Sequence, residues 1–197
     1  MEIKEASFIF EKTHALKNGH FQLTSGLHSP TYFQCAQTLQ YPEYLEMFCR
    51  EIVEYHQAEG DLIDVVVAPA IGGIVAGQEV ARQLGVKSIF AERVDGKMTF
   101  RRGFTINPDD NVLIVEDVIT TGGTVKELFE MIEETGAYVI GIATIVDRSA
   151  GNHVLEEIPL FAAYTAKVIT YPPDNCPLCK QNIPITQPGS RNLKKYK

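Results

Sequence analysis

The chain has no surplus of positive charge. Its 18 lysines and arginines face 25 aspartates and glutamates, a formal net charge of −7, so bulk attraction to nucleic acid is not expected. It has no apolar run near the roughly 18 residues that a membrane span needs. The longest, VVVAPAIGGIVAG, is short and carries proline and glycine. The opening MEIKEASFIFEK lacks a basic segment leading into an apolar core, so no secretory leader and no membrane partner are expected, and the location predicted is cytoplasmic. No internal repeat, low-complexity tract or linker divides the 197 residues, and 45% hydrophobic content suits a single globular domain. The basic end, RNLKKYK, reads as a solvated tail.

Cysteine is scarce, with four in all. Cys35 and Cys49 stand alone. Cys176 and Cys179 form CPLC, but a zinc site wants a second pair or histidines at ligand spacing. His153 is the nearest histidine and keeps no regular spacing to the pair. The expectation is a tight turn with reduced thiols and no stoichiometric zinc, with metal or redox use as the other reading.

Strand and helix patterns alternate through the middle of the chain. PEYLEMFCREIVEYH places Leu45, Phe48, Cys49, Ile52, Val53 and His56 on a helical period, with Pro42 fitting a first turn. DVVVAPA (64–70) is a continuous β-branched run, as in a strand covered on both faces. A helix closed by Gly85 follows, then the strand SIFAER, the buried strand NVLIVEDV, a helix stopped at Gly136 and the strand YVIGIATIVD. This order predicts an α/β fold with a parallel sheet and helices on both faces. The first ~40 residues break the alternation and read as a small cap, or hood. The core spans about 41–170, and 171–197 reads as an irregular, proline-rich tail.

Ligands of such sheets bind beyond the carboxyl ends of the strands. Four loops fall there: PAIGG (69–73), ERVDGKMTFRRG (92–103), EDVITTGGT (116–124) and DRS (147–149). In the third, Gly122 and Gly123 permit a tight turn and close backbone approach. Thr120, Thr121 and Thr124 offer hydroxyls, and the start of the next helix favours an anion. No lysine follows the glycines, which excludes a Walker loop, and no G-x-G-x-x-G is present. Glu116 and Asp117 would repel a phosphate, so they suit neutral hydroxyls or Mg²⁺ instead. A phosphate with a diol several ångströms away, as in ribose 5-phosphate, satisfies both demands.

VLIVEDVITTGGT resembles the phosphoribosyl-diphosphate signature of the type I phosphoribosyltransferases. GHFQLTSGLHSPTYFQCA, FAERVDGKMTFRRGF and VDRS resemble the base-binding segment, mobile catalytic loop and arginine turn of the orotate phosphoribosyltransferases, and CPLC…PGSR is similar to the tail of one bacterial and archaeal branch. Many members carry KSG where this chain has TSG, so no catalytic role passes to Thr24.

The resemblance implies transfer of the 5-phosphoribosyl group from phosphoribosyl diphosphate to orotate, in the pyrimidine (UMP) route, with Mg²⁺ held mainly through substrate and water. It assigns phosphoribosyl diphosphate to Arg93, Lys97, Glu116, Asp117, Val118, Ile119, Thr120, Thr121, Gly122, Gly123 and Thr124. Lys97 and Asp117 are the expected catalytic residues. Orotate falls to Thr120, Arg148, Ser25, Tyr32 and Phe33. Tyr32 and Phe33 serve equally as core residues; the other reading of Arg148 is an ion pair with Asp147, and that of PAIGG, beside a row of backbone donors, is a packing turn. The four cations Arg93, Lys97, Arg101 and Arg102 suggest a loop poorly ordered by itself. The family is dimeric, so Lys97 is expected to act in trans in a homodimer. Two other readings are a phosphoribosyltransferase for a purine and a regulator that senses phosphoribosyl diphosphate without catalysis.

Overall fold

The computed structural model describes residues 3–23, 25–149, 155–167 and 169–188. Helix α1 (Ile3–Lys12) leads into a hairpin of β1 (Leu16–Gln22) and β2 (His28–Phe33). After the short α2 (Ala36–Leu39) come α3 (Pro42–Glu59), β3 (Val65–Pro69), α4 (Gly73–Leu84), β4 (Lys87–Val94), β5 (Lys97–Phe100), β6 (Asn111–Ile119), α5 (Gly123–Glu133), β7 (Tyr138–Asp147) and β8 (Leu160–Thr165). A 3₁₀ turn (Pro173–Asn175) and α6 (Pro177–Lys180) follow.

Six strands form one sheet in the order β5-β4-β3-β6-β7-β8, parallel except for β5 at the edge. The β-branched runs form its centre because both faces are covered. Val66, Leu113 and Val115 turn toward Phe48, Ile52, Ala76 and Val80 of α3 and α4. Their strand neighbours Val65, Val67, Val112 and Ile114 turn toward Val125, Leu128 and Ile132 of α5. Helices therefore lie on both faces, as the sequence predicts. Pro42 occupies the first turn of α3, and Gly85 closes α4 in the left-handed region.

Several details differ from the sequence reading. Strand β6 runs one residue past the NVLIVEDV segment to Ile119, because β7 offers Val146 and Asp147 as ladder partners for Val118 and Ile119. Between β4 and β6 lies the antiparallel strand β5, which the apolar pattern did not mark. Strand β8 adds a sixth strand that the apolar pattern did not mark, being a half-buried edge. Helix α1 packs into the main core, where Phe10 stacks on Phe48 at 4.9 Å and meets Phe33 edge-on at 5.4 Å. The tail is less irregular than expected. It bridges Tyr171 to His28 and Thr186 to Phe21 on the hairpin. Among the described residues no helix is long and apolar enough to cross a membrane.

Candidate active site

The carboxyl ends of the central strands meet on one edge of the sheet. There the Ala70 N–H donates to Ala91 O (2.7 Å) and the Arg148 N–H to Ile119 O (2.8 Å). Glu116 is buried and Asp117 half-buried on β6. The Asp117 N–H donates to Glu116 Oε1 at 3.4 Å. Burial pushes the Asp117 carboxyl above the usual aspartate range, while Glu116 and the backbone amides of Val118 and Asp117 pull it back.

The PAIGG turn is fitted closely against this pair. A Cβ on Gly72 would lie 2.6 Å from Asp117 Oδ2 and 2.7 Å from its Cγ and Oδ1. One on Gly73 would lie 2.9 Å from Pro69 Cδ and 3.1 Å from Val115 O. A side chain at Gly73 would press on Pro69 and the Val115 carbonyl, and one at Gly72 would displace the Asp117 carboxylate. The peptide between Ala70 and Ile71 is cis.

Residues 120–124 wrap from β6 into α5. Gly122 takes φ 76°, a left-handed conformation that a Cβ disfavours. Thr120, Thr121 and Gly123 are exposed, Thr124 half-buried. No side chain caps the start of α5, so the turn presents backbone N–H groups and the positive end of the helix dipole to an incoming anion.

On the opposite side, Arg148 leaves the end of β7 and lays its guanidinium over the Tyr32 ring, 5.9 Å from the centroid. Its Nε is buried with no hydrogen-bond partner, and burial lowers its affinity for a proton, partly restored by Tyr32 and Cys35. Asp147 does not take this arginine; it accepts the Ser149 N–H at 2.7 Å. The hood residues divide. Tyr32 faces Arg148, whereas Phe33 is 6% exposed and packs on Phe10 and Tyr164, so its ring belongs to the core rather than to an aromatic wall. Ser25 is exposed in the hairpin turn. Thr24 lies outside the described residues. Cys35, unmarked by any sequence motif, is buried close enough that burial, then Asp117, raises its thiol pKa well above the ordinary value.

The β4–β5 hairpin carries Lys97. Pro69 of β3 pairs with Ala91, so β4 continues three residues beyond β3, about 10 Å at strand rise. Asp95 and Gly96 make the tip with φ 50° and 84°. The expected charge repulsion is relieved by carboxylates, one on α5 and one on β4 itself. Arg93 makes two 2.7 Å contacts with Glu127 of α5 and donates to Gly96 O at 2.8 Å. Arg101 and Arg102 lie 3.8 and 3.2 Å from Glu92. Among the described residues, Lys97 is the one cation of the four without an ion pair within 4.0 Å.

Residues 42–163 match the phosphoribosyl transferase domain family. An orotate phosphoribosyltransferase of Chlorobium phaeobacteroides is 54% identical over 183 residues, 93% of each chain. One from Chlorobaculum parvum is 53% identical over 192 residues, 98% of each chain. Among solved structures, the orotate phosphoribosyltransferase of Aeropyrum pernix superposes with a TM-score of 0.67 at 21% identity, over 81% of this chain and 93% of that one, which shows a shared fold.

Proposed function

Because this chain belongs to the orotate phosphoribosyltransferase family, we propose that it joins orotate to C1 of the ribose of phosphoribosyl diphosphate. The C1–oxygen bond to pyrophosphate breaks, a C1–nitrogen bond to the base forms, and orotidine 5-phosphate is released for UMP synthesis. The observation that carries the orotate reading is Arg148, whose buried Nε has no partner beside Tyr32. A planar cation in that position suits a carboxylate, which orotate has and purines lack.

The phosphate of the ribose 5-position sits in the 120–124 turn. Threonine hydroxyls, the backbone of the Val118–Gly123 stretch and the α5 dipole hold it there. Glu116 and Asp117 accept hydrogen bonds from the 2- and 3-hydroxyls. Positive charge grows on the ribose as pyrophosphate departs, and the two carboxylates favour that charge. Fixing sugar and base together removes the orientational cost of the encounter. The donors around the acid pair are oxygens, which suits Mg²⁺; bound chiefly through substrate oxygens and waters, the ion would neutralise pyrophosphate. Lys97, standing past the sheet edge, meets the leaving group. Arg93 joins it only by releasing Glu127. Tyr32 and Ser25 border the base, and Thr120 reaches it from the phosphate turn.

The same reading makes the protein a cytoplasmic homodimer. A groove lined by Leu45, Ile74, Val75, Phe90 and Phe104 adjoins the strand that leads to Lys97 and offers an apolar surface to a second copy. The four cysteines are free, in keeping with a reducing compartment.

Loss of orotate absorbance with phosphoribosyl diphosphate and Mg²⁺ tests the reading, with uracil, hypoxanthine and xanthine as controls. Turnover of orotate alone, stopped by chelation, is expected. Preference for hypoxanthine would favour the purine reading, and binding of phosphoribosyl diphosphate without turnover would favour a sensor.

A further inference from the structure

CPLC acquires partners in three dimensions. Cys176 and Cys179 flank the start of α6, and the tail carries them back to the hood hairpin, against His20 of β1 and His28 of β2. Four possible ligand atoms, two nitrogens and two sulfurs, lie within 4.8 Å of one another. His20 Nε2 is 3.0 Å from His28 Nδ1, 3.6 Å from Cys176 Sγ and 3.8 Å from Cys179 Sγ, and His28 Nδ1 is 3.3 Å from Cys179 Sγ. A tetrahedral ion with bonds of about 2.1 Å to nitrogen and 2.3 Å to sulfur would separate its ligands by about 3.4 Å (N–N) and 3.6 Å (N–S). The three nitrogen–sulfur spacings bracket the second value, and the nitrogen–nitrogen spacing of 3.0 Å is a few tenths of an ångström shorter than the first.

The surroundings prepare one lone pair. His20 Nδ1 is 2.7 Å from the Ile183 carbonyl, an acceptor, so the ring carries its proton there and turns an unprotonated Nε2 toward the sulfurs. His20, His28 and Cys176 are buried at 3%, 6% and 1% exposure, and Cys179 closes the outer side. No carboxylate belongs to the group. Two imidazoles and two thiols in a compact, mostly buried set match the donor preference of zinc rather than of magnesium or calcium.

We propose that His20, His28, Cys176 and Cys179 bind one Zn²⁺ per chain as a structural site. All four positions come from protein, so none is open for substrate and the ion takes no part in phosphoribosyl transfer. Its work is to fasten the tail to the hood across more than 140 residues of chain. Weaker links lie along the same seam: Ser29 Oγ donates to Ile169 O at 2.9 Å, and the Thr186 N–H donates to His20 O at 2.8 Å. Strand β2 also carries Tyr32, so the ion steadies the strand that faces Arg148.

Metal content reads this independently of turnover. The full-length chain, without a metal-binding tag and kept reduced, should hold about one Zn²⁺ per chain, with X-ray absorption fitting two sulfurs near 2.3 Å and two nitrogens near 2.1 Å. Cys176→Ser with Cys179→Ser, and separately His20→Ala, should lower zinc content at least ~10-fold, while Asp117→Asn keeps it. Should those variants fail to fold, unaltered protein decides alone: metal stripped by chelator should return on adding one equivalent of Zn²⁺, in competition with a chromophoric chelator. Protein that purifies without zinc and takes none up, zinc held by oxygen ligands, or a Cys176–Cys179 disulfide in the native protein would each overturn the proposal.

Discussion

Arg148 and Tyr32 stand 116 positions apart in the chain, yet the guanidinium of one covers the ring of the other at 5.9 Å. The contact holds the arginine fork still without using its hydrogen bonds, since an aromatic face attracts a cation but accepts nothing at the Nε–H. Arg148→Ala should therefore raise the KM for orotate about 10- to 100-fold, the worth of about one hydrogen bond to a charged group. The KM for phosphoribosyl diphosphate should change little. Steady-state kinetics with each substrate varied would check this; a loss confined to phosphoribosyl diphosphate would move Arg148 away from the base.

Asp117→Asn separates activity from stability. The change keeps shape and removes one charge, so kcat should fall ~100-fold or more if the carboxylate favours the growing cation. Stability should move the other way. Burial raises the Asp117 pKa in the folded chain above its unfolded value, so the folded state prefers the protonated form. The charge penalty begins as pH rises past the unfolded value and is complete above the folded one. Thermal melts without substrate or Mg²⁺ should show the asparagine variant melting higher at neutral pH, with the gap closing in acid. An unchanged kcat would make Asp117 a structural residue.

Gly72 sets where that carboxylate stands. The Cβ of Gly72→Ala would meet Asp117 at 2.6 Å, and either the turn or the carboxylate has to yield. The carboxylate is the more movable of the two, so the expected result is a folded protein with kcat reduced ~10- to 100-fold by misplacement of the acid. Combining it with Asp117→Asn should add little further loss. Full multiplicative loss would mean that Gly72 acts through the 69–73 backbone instead.

The acid pair, the threonine–glycine turn and Arg148 were legible because each is contiguous in sequence at the end of an apolar run. Buried strands and the faces of α3, α4 and α5 were legible from period alone. Features that depend on distant pairing were not. Arg93 finds Glu127 34 residues away, so a loop that reads as self-repelling is a hairpin with its first arginine paired to α5. Phe33 reads like Tyr32 beside it, but alternation along β2 sends its ring to Phe10. His20 sits in a bulge between the Asn18 and Phe21 pairings, and its sulfur neighbours are 156 and 159 residues away. The histidine nearest to CPLC in sequence is His153, which lies outside the described residues.

Lys97 stands past the sheet edge on the β4–β5 hairpin, unpaired among its neighbouring cations. If it serves the partner's site in a dimer, Lys97→Ala and Asp117→Asn should complement each other. Each variant alone is expected to be nearly inactive. After subunit exchange, a mixed dimer has one site with both defects and one with neither. Random mixing makes about half of the dimers mixed, so roughly a quarter of the wild-type activity should return, by two-fold symmetry. Were Lys97 to act within its own chain, every site would keep one defect and almost nothing would return. Native mass spectrometry can confirm exchange before activity is read, so demonstrated mixing without recovery would exclude action in trans.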